Sequence, residues 1–235
     1  MIPLKDDVPS QTIPVVTLAV IGLNVAVFFY QLSLEMGMDS GAQRAARDFV
    51  IEFGVVPCRL IGRCRMLEDF PHPALTVFTS MFLHGGLLHL GGNMLYLWIF
   101  GNNVEDVLGH GRFVVFYLAS GSAAAVAQTM VNPGSTIPMV GASGAVSGVL
   151  GAYFLLFPYS TVLTLVTFGF FWRFIHLPAM IVLGLWIVLQ FLSGYLSLSV
   201  ASGAEGGVAF FAHIGGFLAG MGLLFVLRPR RSRRL

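Results

Sequence analysis

Six long apolar runs divide this chain, each closed by a polar or proline-containing break. They are Ile13–Leu34, Leu83–Phe100, Phe113–Met130, Val140–Phe157, Leu177–Leu198 and Val208–Leu227. A helix of roughly 20 apolar residues, rising about 1.5 Å each, crosses a bilayer. The runs are continuous and do not alternate with period two, which disfavours a transmembrane β-barrel. The expectation is an all-α membrane protein with a six-helix bundle. A seventh apolar stretch, Thr161–Phe174, is short, lies between Pro158 and Pro178 and carries Arg173. It reads as an interfacial or re-entrant loop. The long polar segment Glu35–Val77 between the first two spans reads as a structured outer loop, with Gly41–Phe53 as a short amphipathic helix.

Composition strengthens this picture. Apolar residues make up 56% of the 235 and charged residues 10%, against about 25% charged in a typical soluble domain. Positions 113–172 form a run of 60 residues without a single Asp, Glu, Lys or Arg. A soluble enzyme, a disordered chain and a nucleic-acid binder are thereby excluded. Residues 1–235 read as one transmembrane domain without internal repeats.

Charge placement gives an orientation. Five arginines (Arg228, Arg230, Arg231, Arg233 and Arg234) crowd positions 228–235, and basic residues flanking spans stay in the cytoplasm. With six spans both termini share that side, including the short N-terminal segment 1–12. Ile13–Leu34 is long enough to be a retained helix, and no basic leader precedes it. The expected location is a prokaryotic cell membrane. Cys58 and Cys64 fall in the outer loop. They could pair in an oxidising compartment or stay as two thiols, and two ligands are too few for a structural zinc.

Polar side chains within spans are costly and are functional candidates. The second span carries His84, His89 and Asn93, the fourth Ser143 and Ser147, and the sixth His213. Even-numbered spans run inward, so all three begin at the outer face. Counted from the span starts, Ser143, His213 and His89 lie about 5, 8 and 9 Å deep. Asn93 is one turn below His89 on the same face. Four polar side chains from three helices therefore share one layer. Asn24, Gln128 and Gln190, in the other spans, read as packing hydrogen bonds.

A Ser and a His at one depth suggest a nucleophile and its base. No Asp or Glu lies within a span, so the pair would be a dyad. His89, Asn93 and the N–H groups of Ala142 and Ser143 could donate to an oxyanion. A Ser–His hydrogen bond requires close helices, which small residues allow. Gly144 and Gly148 on the fourth span and Gly216 and Gly220 on the sixth supply them. His84 and His89 lack a His-Glu-x-x-His pattern and a third ligand, so a metalloprotease is not expected. A small transporter is the rival that uses the same polar layer as a binding site, but its usual inverted repeats are missing.

In these residues the chain resembles the rhomboid intramembrane serine proteases. Gly141-Ala142-Ser143-Gly144 is similar to the family's nucleophile motif and Ala212-His213-Ile214-Gly215-Gly216 to its base motif. His89-x-x-x-Asn93 is similar to its oxyanion motif. The resemblance implies hydrolysis of a peptide bond in or beside a transmembrane segment of a membrane-protein substrate, without a cofactor and with small residues preferred at the cleaved bond. It implies Ser143 and His213 as catalytic residues, and lipid and transmembrane proteins as partners. It does not fix the oligomeric state. A non-catalytic chaperone of the same fold would be expected to lack Ser143 or His213. Two positions depart from the pattern. Thr76-Val77 stand where some members have Trp-Arg. Ser147 stands where some have an aromatic against the histidine, so the sequence does not show what holds His213.

Overall fold

The computed structural model describes residues 1–36, 40–64, 71–169, 171–199 and 208–229. The arginines from 230 onward lie outside the described residues. The chain begins with strand β1 (Ile2–Asp6), followed by α1 (Val15–Glu35), α2 (Ser40–Phe53), α3 (Pro57–Leu60) and α4 (Pro73–Thr79). A 3-10 turn (Ser80–Phe82) leads to α5 (Leu87–Leu108), α6 (His110–Val131) and α7 (Ser143–Leu156). A hairpin of β2 (Thr161–Phe168) and β3 (Phe171–Pro178) precedes α8 (Ala179–Ser199) and α9 (Phe210–Leu227).

The chain is a multi-pass membrane protein. Helices α1, α6, α8 and α9 are each long and apolar enough to cross a bilayer. Pro73–Phe82 and Leu87–Leu108 qualify jointly as a fifth span, bent by 83°. Helix α7 has 14 residues, about 21 Å by helix rise, which is short of a hydrocarbon core of about 30 Å. Its residues from Gly144 to Tyr153 are all buried, with α5, α6 and α9 packed around it. An apolar helix covered on every side belongs in a core.

The fold is mostly helical, as expected, with one small sheet added. Thr161–Phe174 is no re-entrant loop, because its residues build the β2–β3 hairpin around a turn at Gly169, whose φ is +58°. Strand β1 adds to the other edge of β2, giving an antiparallel sheet of order β1-β2-β3. The N-terminal segment is thus hydrogen-bonded to the α7–α8 connection. Asp6 accepts a hydrogen bond from the Tyr153 hydroxyl of α7 (2.6 Å), and burial raises its pKa above the usual carboxylate value.

Helix boundaries also shift. The second span was expected to end at the polar run Gly101-Asn102-Asn103, yet α5 continues through it to Leu108. These polar groups have partners in the N-terminal segment. Asn103 donates to the Val8 carbonyl (3.0 Å) and Asn102 to Ser10 (2.9 Å). Glu105 is buried and accepts from the N–H groups of Val16 and Thr17 (2.9 and 2.8 Å) and from the Thr17 hydroxyl (2.7 Å). A carboxylate on the free N–H groups of a helix start satisfies donors that have no partner in the helix. His110 also bonds Glu105 (2.6 Å).

The segment between α1 and α4 is tied to the approach to α7. Val55 and Met139 exchange both backbone hydrogen bonds (3.0 and 2.7 Å). The Cys58 N–H donates to the Ser135 carbonyl (3.0 Å), and Cys58 and Cys64 form a disulfide. Helix α2 lies against α1 through the ring contact of Phe49 with Tyr30 (5.3 Å).

Candidate active site

The polar layer sits at three helix starts. Ser143 is the first residue of α7, His89 is in the first turn of α5, and His213 is in the first turn of α9. The spans were expected to begin at Val140, Leu83 and Val208. The helices begin later, so each polar group is nearer its helix N-terminus than a count from the span start suggests. Helix N-termini carry unpaired N–H groups and a partial positive charge. Three of them close on one layer favour negative charge there.

Gly141 shapes the entry to α7. Its φ of +125° is one that side chains rarely adopt, and its N–H donates to the Ser80 carbonyl (2.9 Å). A Cβ on Gly141 would sit 2.7 Å from His89 Nε2 and 3.7 Å from the Ser143 hydroxyl. The glycine therefore leaves space that His89 fills, and puts its ring beside Ser143. Ala142 and Ser143 come before the first α-helical hydrogen bond. Among the described residues, neither of their N–H groups donates a backbone bond outside a helix.

His89 Nδ1 accepts the Gly85 N–H (3.3 Å), so its ring proton is on Nε2, the atom that faces Gly141. Asn93 is buried, and its Nδ2 has no hydrogen-bond partner among the described residues. A buried amide without an acceptor costs about 1–3 kcal/mol, and such groups mark places where another molecule completes the bonding.

Helices α7 and α9 meet backbone to backbone. A Cβ on Gly216 would run into the Gly144 carbonyl, and one on Gly220 into the Gly148 carbonyl. On the other side of α7, a Cβ on Gly144 would come 2.6 Å from the Ala124 side chain, and one on Gly148 would overlap Ser120, both on α6. Ser143 immediately precedes Gly144, and His213 is one turn before Gly216, so the two are level. The Ser143 hydroxyl and the His213 ring make no hydrogen bond to each other among the described residues. Ser147 donates to the Ser143 carbonyl (2.6 Å).

Of the two glutamines read from the sequence as packing groups, Gln128 bonds a neighbouring backbone, whereas Gln190 reaches the His213 ring. Gln190 Oε1 lies 2.8 Å from His213 Nδ1, and Gln128 Oε1 accepts the Ala212 N–H (3.2 Å). The available signal for Gln190 was its position four residues after Trp186, whose ring also meets His213 at 5.8 Å. Asn24 does bond within its own helix, to the Val20 carbonyl (2.8 Å). His84 has a buried ring with no partner on either nitrogen among the described residues, edge-on to His89 at 5.0 Å. Its backbone, not its ring, is held, by Gln31 of α1 (3.0 and 3.3 Å).

Beside Ser143 is a cavity of about 40 Å3. Gly121, Ala124, Ala145, Ala209 and Ala212 are among its walls, which suits a small apolar group. No cluster of three or more His, Cys, Asp or Glu able to hold a metal occurs among the described residues.

Residues 71–230 match the model of the Rhomboid domain family. Over 76 residues the chain is 43% identical to the rhomboid protease GluP of Bacillus subtilis, covering 32% of this chain and 14% of that one. It is 33% identical over 113 residues to the mitochondrial rhomboid protein 1 of Saccharomyces cerevisiae, 46% of this chain and 33% of the relative. It is 31% identical over 161 residues to RHOMBOID-like protein 1 of Arabidopsis thaliana, 68% and 36% respectively. The chain thus spans about a third or less of the length of these relatives.

Proposed function

This chain belongs to the rhomboid family, and from that premise we propose that it is an intramembrane serine endopeptidase acting on transmembrane protein substrates. Ser143 is the nucleophile and His213 the base. The observation that carries the reading is the glycine contact of α7 with α9, which sets these two side chains level at adjoining helix starts.

In the reaction the Ser143 Oγ attacks the scissile carbonyl carbon while His213 takes its proton. The carbonyl oxygen gains the negative charge. The Nδ2 of Asn93, the Nε2–H of His89 and the N–H groups of Ala142 and Ser143 are the donors for it. The C–N bond then breaks, with the leaving amine receiving the proton from His213. Water repeats the cycle on the acyl-enzyme, with His213 again as base. The small-walled cavity beside Ser143 favours a small side chain at the cleaved bond.

The chain crosses the membrane six times, with α7 as the short crossing and both termini in the cytoplasm of a prokaryotic cell. Three features support this orientation: the bonding of β1 to the α7–α8 hairpin, the terminal arginines, and a disulfide in the loop that would face an oxidising compartment.

The test is labelling with a fluorophosphonate probe in detergent. Wild type is expected to become covalently labelled and Ser143→Ala not. Equal labelling of both, or none of either, overturns the catalytic reading, and the second result would leave a non-catalytic membrane chaperone.

A further inference from the structure

We infer that Gln190 is a positioning residue that holds His213 in the tautomer the reaction needs. The inference rests on the reading of Ser143 and His213 as nucleophile and base. A histidine that accepts a serine proton on one ring nitrogen must carry its own proton on the other. In hydrolases with a triad a carboxylate accepts that second N–H and fixes the ring. Among the described residues, none of the side chains bonded to His213 is an Asp or Glu. The nearest polar atom on the Nδ1 side is Gln190 Oε1, at 2.8 Å. With the amide oxygen accepting from Nδ1–H, Nε2 has its lone pair free for Ser143.

The opposite amide orientation would be incompatible with the reaction. The Gln190 NH2 would then donate to Nδ1, move the ring proton to Nε2 and remove the base. A glutamine therefore works here only as an acceptor.

The setting fixes the ring as well as its proton. Trp186 is one turn before Gln190 on the same face of α8. Its ring lies against His213 (5.8 Å, 36° between planes) and against Phe217 (6.3 Å). Gln128 on α6 accepts the N–H of Ala212, the residue before the base. Two helices thus brace the start of α9, and α8 supplies both the hydrogen bond and the ring contact to the imidazole. This accounts for the support that the aromatic position occupied by Ser147 does not give.

Among the described residues, the titratable group facing His213 is His89 from α5. Helices α7 and α8 contain no Asp, Glu, Lys or Arg, and in α6 Arg112 is in the first turn, at the end opposite Gln128. A neutral acceptor orients an imidazole without strongly stabilising its cation, so a carboxylate at position 190 should act differently from an amide.

The test compares Gln190→Leu and Gln190→Glu with wild type in detergent. The readouts are the thermal melt, cleavage of a fluorogenic peptide with alanine at the scissile bond, and its pH profile. Gln190→Leu is expected to lose kcat on the order of 100-fold, the scale of a misplaced catalytic group, with KM unchanged. Gln190→Glu is expected to retain cleavage, with the acidic limb of the profile moved to higher pH, because an adjacent carboxylate favours imidazolium. A second readout needs no activity. In 15N-histidine-labelled Ser143→Ala protein, neutral His213 is expected to be protonated at Nδ1, and adding Gln190→Leu should give a mixture of tautomers. Cleavage by Gln190→Leu at the wild-type rate while Ser143→Ala is inert overturns the role of Gln190 alone, as does an Nε2-protonated ring in the labelled protein. Normal cleavage by Ser143→Ala instead overturns the serine-protease reading beneath it.

Discussion

Gly216 of α9 rests directly on the backbone carbonyl of Gly144 in α7, with no room between them for a methyl group. That contact is one turn from His213 and one residue from Ser143, so packing and chemistry are coupled at a single point. Gly216→Val would force the helices apart. Overpacking of this kind costs about 1–3 kcal/mol, and a shift near 1 Å can cost on the order of 100-fold in rate. The variant is therefore expected to lose both melting temperature and cleavage, whereas Ser143→Ala loses cleavage alone. Gly111→Ala is the control, because a Cβ there meets nothing within 4 Å. It should melt at or slightly above wild type, since alanine is the better helix former. A thermal melt paired with one cleavage assay checks all three. A Gly216→Val protein that melts and cleaves like wild type would show that the helices do not meet there.

Asn93 gives the opposite signature. Its Nδ2 is buried without a partner, so the free protein gains little from it. Asn93→Ala is expected to leave stability unchanged or slightly raised, since an unsatisfied donor is removed. It should lower kcat by about 100- to 1,000-fold, the range for loss of one oxyanion donor. KM should stay constant. Should KM rise while kcat holds, Asn93 docks substrate and does not stabilise the transition state.

The layer of Ser143, His213, His89 and Asn93 was legible because apolar runs reveal helix starts to within a few residues, and all these groups lie near starts. The small-residue spacing of α7 and α9 likewise pointed to a close pair. What escaped was set by partners distant in sequence. Thr161–Phe168 is an apolar run too short to separate strand from span by periodicity. Its β-branched content (Thr161, Val162, Thr164, Val166 and Thr167) and the following Gly169 were the strand signals. Neither said that Ile2–Asp6 would pair with it. Gly101-Asn102-Asn103 looked like a helix end because three polar or flexible residues usually are one. The acceptors of the two asparagines, Val8 and Ser10, lie more than 90 residues away. Gln190 resembled any lone amide in a span until α8 was seen against α9.

The sheet makes the proposed orientation testable at several points at once. Because β1 pairs with β2 and β2 with β3, exposed Lys5 and Arg173 must lie on the same side of the membrane. Exposed Arg63, next to the disulfide, is predicted to lie on the other side. Single cysteines at each of these positions, and one added after Leu235, are to be tested in a Cys58→Ser, Cys64→Ser background so that native thiols do not react. An impermeant maleimide added to intact bacterial cells is expected to label Arg63→Cys, and to label Lys5→Cys, Arg173→Cys and the added C-terminal cysteine only after the membrane is opened. The terminal arginines favour this sign, since basic residues beside a span stay inside. The disulfide favours it independently, since such bonds persist where the compartment is oxidising. Labelling of Lys5→Cys without Arg173→Cys would contradict the sheet itself. Labelling of both in intact cells, with Arg63→Cys silent, would keep the fold but invert it, and would move the three helix starts and Ser143 to the cytoplasmic face. Labelling of the C-terminal cysteine alone with Arg63→Cys would require an odd number of crossings after Arg173 and remove α8 or α9 from the spanning set.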